Sequence, residues 1–203
     1  GKVTLLSFTG GEKIKVGTSQ IIRWSRSSSV DFINIYYYNG TNWQTIATNV
    51  DASLSKYIWN VPDNPSATAR IKITDAMSNF NIVDSSALTF RVSRIYVTSP
   101  NGGEVYRAGI VYPIKWNVSS DITSLRLEYT TDDGLNWVTI NNNVNPASGT
   151  YNWKMPDTAS TGYRIRISDA LVSAEISDTS DNIFTVKKLQ LNSPNSATNW
   201  LAN

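Results

Sequence analysis

Side chains able to do chemistry are few in this chain of 203 residues. Histidine and cysteine are both absent, so Ser-His-Asp and Cys-His nucleophilic sets and every imidazole or thiolate zinc site are excluded. Carboxylates remain: Asp63 and Asp157, Asp75 and Asp169, and Asp84 and Asp178 occupy matching positions in two halves of the chain. Two carboxylates at the right separation suffice for a glycosidase, so a carboxylate-only site between modules stays open on residue types alone. All six, however, stand beside Ser, Thr, Asn or Pro, where an aspartate accepts backbone N–H bonds and fixes a turn. The turn role explains their repetition more simply, and no catalytic residue is assigned. Asp132 and Asp133, with Asp121 or Asp181, offer the oxygen ligands that Ca²⁺ takes. The EF-hand spacing is missing and no array of four or five carboxylates is near in sequence, so these are read as solvated turns, with no metal and no cofactor.

Binding chemistry is better represented. In Phe32-Ile33-Asn34-Ile35-Tyr36-Tyr37-Tyr38 the alternation sends Ile33, Ile35 and Tyr37 inward and Asn34, Tyr36 and Tyr38 outward. Tyr36 and Tyr38 then offer either a stacking surface for a sugar ring or a contact for a partner, with cross-strand ring packing as the plainer alternative. In Ala69-Arg70-Ile71-Lys72-Ile73 the same alternation turns Arg70 and Lys72 outward. These cations would attract an acidic polysaccharide, or pair with Asp and Glu of adjacent strands and keep the sheet soluble.

The elements that carry these residues form a repeat. Trp24 and Trp116 are 92 residues apart, whereas Trp43 and Trp137, and Trp59 and Trp153, are 94 apart, so one module is written twice with two residues added in the second copy. Period-2 alternation runs through both copies and no helical period is sustained. The expected fold is all-β: two tandem immunoglobulin/fibronectin-III-like β-sandwich modules, residues 1–94 and 95–188, with seven short strands each. The recurring tryptophans are expected in the cores. Val92-Ser93-Arg94-Ile95-Tyr96-Val97 joins the modules without Gly or Pro, which predicts a stiff joint. Leu189-Gln190-Leu191-Asn192-Ser193-Pro194-Asn195 repeats Ile95-Tyr96-Val97-Thr98-Ser99-Pro100-Asn101, with Trp200 at the place of Tyr106. Residues 189–203 thus read as the first strand of a third repeat cut from a longer array, or as a donor strand carrying Leu189, Leu191 and Trp200 into another molecule's sheet.

Ser99-Pro100-Asn101-Gly102-Gly103-Glu104, then Ile114-Lys115-Trp116, Asp132-Asp133-Gly134-Leu135-Asn136-Trp137, Tyr151-Asn152-Trp153 and Arg164-Ile165-Arg166-Ile167-Ser168-Asp169, resemble the yeast cell-wall glucan-assembly type domain, the Ser-Thr-rich glycosylphosphatidylinositol-anchored membrane family. The resemblance covers nearly all of the second copy. The first departs from it with Ser7-Phe8-Thr9 and a shorter central hairpin. It implies a non-catalytic β-sandwich strung in tandem in secreted or surface proteins, and brings no binding residues with it. Thr130 to Trp137 also resembles the Asp-box hairpin of sialidase propellers, with Asp132 as the cap.

Net charge is +2 and no basic run appears, which favours neither nucleic acid nor membrane insertion as partner. Residues 1–94 hold 10 Lys and Arg against 6 Asp and Glu, and residues 95–188 hold 8 against 10, so the modules can attract end to end. Low charge, abundant Ser, Thr and Asn and aromatic strands point to an extracellular or cell-surface protein whose partners are neighbouring modules or a polysaccharide. The start at Gly1 reads as an excised or processed piece.

Overall fold

A computed structural model of the chain describes residues 1–77, 81–172 and 176–189. The first module contains β1 (Val3–Leu5), β2 (Lys13–Lys15), β3 (Ser19–Arg26), β4 (Phe32–Tyr38), β5 (Trp43–Asp51), β6 (Lys56–Asn60), β7 (Ser66–Asp75), β8 (Val83–Ser85) and β9 (Phe90–Ser93). The second contains β10 (Ile95–Ser99), β11 (Val105–Arg107), β12 (Val111–Val118), β13 (Leu125–Thr130), β14 (Val138–Val144), β15 (Thr150–Lys154), β16 (Ser160–Asp169), β17 (Ser177–Thr179) and β18 (Phe184–Lys187). In each module a three-stranded sheet, β1-β3-β6 or β10-β12-β15, faces a six-stranded one. The larger sheets run β2-β9-β7-β4-β5 with β8 on β7, and β11-β18-β16-β13-β14 with β17 on β16. The chain is therefore all-β, two tandem immunoglobulin/fibronectin-III-like sandwiches.

All seven strands expected in each copy are present, and β2, β8, β11 and β17 are added. In these four, of three residues each, the alternation is too short to stand out from the adjoining turns. β2 and β11 form by pairing in parallel with β9 and β18, and β8 and β17 by pairing with β7 and β16.

Two of the three tryptophan pairs lie in the cores. The indole N–H of Trp24 donates to the Ala52 carbonyl and that of Trp116 to the Pro146 carbonyl, both at 2.9 Å. Each acceptor starts a short 3-10 turn whose first N–H groups are capped by Asp51 or Asn145. Trp59 packs against Phe8, Tyr37 and Phe90, and Trp153 against Tyr129. The third pair corrects the sequence expectation: Trp43 is 39 % exposed and Trp137 half-buried, on the outer face of the large sheet. The register explains why, since Trp43 lies opposite Tyr38, whose neighbour Tyr37 is the residue facing the core.

Glutamates of the Gly-Gly-Glu motifs and the recurring aspartates act mostly as turn clamps. The Glu104 carboxylate accepts the N–H groups of Asn101 and Gly102, both at 2.7 Å, and Glu12 accepts that of Gly10 at 2.9 Å. Where the second module has a cis Ser99–Pro100 bond, the first has Phe8 at φ 56°, its ring in the core 5.2 Å from Phe90. Asp84 and Asp178 accept the N–H groups of Leu5 and Val97 at 2.7 and 2.8 Å. Asp75 and Asp169 accept those of Met77 and Leu171, both at 3.0 Å. Asp63 and Asp157 depart from the turn role expected of them: each forms an ion pair at 2.6 Å, with Arg94 and Lys188, tying its module to the chain just beyond the last strand. Of the tail residues, Leu189 is 84 % exposed, and Leu191 and Trp200 lie outside the described residues.

Candidate functional site

Two clusters bring together charged and aromatic side chains with defined geometry: the joint between the modules and the outer face of the first module's large sheet.

At the joint only Arg94 separates β9 from β10, and its N–H and carbonyl bond to Ser119 at 2.8 Å (Oγ) and 3.0 Å (N). Tyr96, on the first strand of the second module, packs against the core of the first. Burial raises its phenol pKa above the ordinary value. Around it, cations of the first module meet carboxylates of the second. Lys15 Nζ reaches Asp178 Oδ1 at 2.6 Å and the Ser177 carbonyl at 2.9 Å, and sits 5.6 Å from the Tyr96 ring. Arg91 bridges two carboxylates, Asp121 at 3.0 Å and Asp169 at 2.9 Å. Their side chains are only 6 % and 1 % exposed, against 23 % for Arg91. Ser93 Oγ adds a 2.5 Å bond to the same Asp121 oxygen. The opposite surpluses of the two halves thus meet in specific pairs. Spacing gives Asp121, Asp169 and Asp178 other roles and leaves Lys15 and Arg91 unmarked, although comparison of the copies marks two joint residues: Arg91 stands where the second copy has Thr185, and Asp121 where the first has Ser29.

On the outer sheet face the structure brings all four predicted binding residues together. The β4/β7 register places Tyr36 opposite Lys72 and Tyr38 opposite Arg70, and β5 adds Trp43 opposite Tyr38. Lys72 Nζ stands 4.9 Å from the Tyr36 ring centroid and 4.3 Å from that of Trp43. Tyr38 and Trp43 are 5.3 Å apart at 44°. Arg70 donates through Nη1 to the carbonyls of Ser86 and Ala87 at 2.8 and 3.4 Å.

The carboxylates weighed as Ca²⁺ ligands and read as solvated turns are dispersed among other partners. Asp133 pairs with Arg164, Asp181 accepts a bond from Asn101, and Asp121 belongs to the joint. Asp132 caps its hairpin as expected. Bonds from the Thr130 hydroxyl and from the Asn136 side chain and N–H hold its carboxyl down to about 2. Among the described residues no group of three or more metal-ligating side chains is assembled.

No protein-family model and no curated relative matches the chain. Solved structures similar to it include the Clostridium thermocellum CbhA fibronectin(III)-like modules, at 19 % identity and TM-score 0.35, covering 97 % of this chain and all of that one. The titin I-band fragment I67-I69 matches at 12 % identity and TM-score 0.35, covering 92 % of this chain and 64 % of that one. The N-terminal four Ig domains of Dscam1 isoform 6.9 match at 9 % identity and TM-score 0.35, covering 92 % and 46 %. Among the described residues no helix is long and apolar enough to cross a membrane.

Proposed function

We propose that this chain is a non-catalytic structural segment of an extracellular or cell-surface protein, a two-module spacer whose joint is held at a fixed angle. The observation that carries it is the bridge from Arg91 of the first module to Asp121 and Asp169 of the second, two carboxylates whose side chains are 6 % and 1 % exposed. Free modules on a flexible linker need no such bridge, and interfaces between domains are by default small and mobile. The Asp63–Arg94 pair at the joint recurs as Asp157–Lys188 at the far end of the second module, the arrangement an array of such modules would use at every joint. Resemblance to the surface-anchored family supports the location, and the recurring carboxylates, engaged by backbone N–H groups or cations, support the absence of catalysis.

Residual dipolar couplings of the full chain in a weakly aligning medium test this. One alignment tensor should fit the amides of both modules. Two tensors of different magnitude would mean independent tumbling and would remove the fixed-spacer role.

A further inference from the structure

The same strand ladder has its cations paired with carboxylates in one module and left without them in the other. In the second module each cation of the β13/β16 ladder has a carboxylate. Arg126 and Arg166 flank Glu128 at 2.6 and 2.8 Å, and Arg164 pairs with Asp133 at 2.5 Å. Arg166 also lies 4.2 Å over the Trp137 ring. The first module keeps the corresponding cations, Arg70 and Lys72, and the corresponding Trp43. It replaces Arg126 and Glu128 by Asn34 and Tyr36, and its shorter hairpin has no counterpart of Asp133. Among the described residues no carboxylate forms an ion pair with Arg70 or Lys72. Carbonyl oxygens hold Arg70, and two ring faces hold Lys72; both fix position without cancelling charge.

We propose that this face, built from Tyr36, Tyr38, Trp43, Arg70 and Lys72, binds an acidic polysaccharide. Arg70 and Lys72, two residues apart on one strand and so about 7 Å apart along it, receive uronate or sulfate groups. The exposed part of Trp43 and the Tyr38 ring offer apolar surface to the sugar. Cations already held in place lose little freedom on binding, which favours affinity. Rings beside cations favour a saccharide over an acidic peptide, for which charge alone would serve. The inference goes beyond the spacer role and is independent of the joint.

The test is affinity electrophoresis of the full chain in gels containing polygalacturonate, dextran sulfate, neutral dextran or polyglutamate. Retardation is expected with at least one acidic glycan and not with neutral dextran; the first two gels separate carboxylate from sulfate as the recognised group. Lys72→Gln and Arg70→Gln should each weaken binding about tenfold, the scale of one charge-assisted contact. Tyr36→Glu, which supplies the carboxylate that the second module tolerates at this position, should abolish it with the thermal transition unchanged. Trp43→Ala should weaken glycan binding without altering net charge. Lys187→Gln, an equal charge change elsewhere, should leave binding intact. Failure to bind either acidic glycan, an equal loss with Lys187→Gln, or retardation by polyglutamate as strong as by the glycans would each overturn the assignment.

Discussion

Replacing Arg91 by alanine is the sharpest probe of the joint. It leaves the Asp169 carboxylate, 1 % exposed, and that of Asp121, 6 % exposed, without a cation. Asp121 is poorly placed to bear this: its Oδ1 is buried without a hydrogen-bond partner, so Arg91 and Ser93 serve it through the other oxygen alone. Removing one member of a buried pair costs about 3–5 kcal/mol and of an exposed pair about 0–1, and Arg91, at 23 % side-chain exposure, falls between at about 2–3 kcal/mol. The module cores need not bear that penalty. In separated modules residue 91 touches neither carboxylate, in the wild type or the variant, so the loss cannot exceed the free energy with which the modules dock.

The expected result for Arg91→Ala is therefore loss of a common alignment tensor, with the less stable module losing about 2 kcal/mol in urea unfolding because docking no longer supports it. Asp169→Asn and Asp121→Asn keep the oxygen acceptors and remove the buried charges. Combined with Arg91→Ala they should restore much of the loss, as double-mutant coupling requires of neighbours. A common tensor retained in Arg91→Ala, with a stability change below about 0.5 kcal/mol, would show that the bridge behaves as an ordinary surface pair and would refute the reasoning.

The tryptophans should separate by burial: Trp59→Ala, in the core, should cost about 3–5 kcal/mol in urea unfolding, and Trp43→Ala, on the outer face, about 1 or less. Comparable losses at the two positions would contradict their placement. Gly102→Ala should destabilise the second module by about 2 kcal/mol or more than Gly103→Ala. Both glycines have positive φ, but a Cβ at Gly102 would collide with Asn182 whereas one at Gly103 meets nothing. Asp132, held down to about 2 in the fold against 3.8 otherwise, supports its hairpin above pH ~4, and that support should fade as pH falls through about 2. The Asn136 amide resonance should titrate with that low midpoint, and a midpoint at the ordinary value would show that the capping bonds do not form in solution.

Much of the fold was legible because each strand longer than three residues carries its own alternation. Ile33, Ile35 and Tyr37 face the core as their spacing required. β2, β8, β11 and β17 were not legible, since each forms only beside a strand distant in sequence, whereas β1, equally short, shows its alternation in Val3 and Leu5. The misplaced tryptophan pair shows a different limit. Recurrence alone suggests packing, but the hairpin connecting Tyr38 to Trp43 carries the outward parity of one strand onto the other. Repetition marks what both modules need, and an outer-face aromatic that holds a cation, Lys72 in one copy and Arg166 in the other, is such a need as much as a core residue is.

What distinguishes the modules lies where the copies differ. The joint needs a cation on one module and carboxylates on the next, and Arg91 and Asp121 are absent from the matching positions, Thr185 and Ser29. The outer face changes character when Tyr36 replaces the position held by Glu128 and the hairpin loses Asp133. Apart from the shorter hairpin, the strand order is unchanged: β4 and β13 keep the same place in their sheets, and Lys72 stays over its indole as Arg166 does. A β-sandwich holds its strands through the inward residues and leaves alternate positions free to vary, so charge balance on the outer face can shift without cost to the core. The two features should accordingly be separable: Arg91→Ala should leave glycan retardation unchanged, and Lys72→Gln should leave the common alignment tensor intact. Cross-talk in either direction would mean that the sheet face and the joint are parts of one surface.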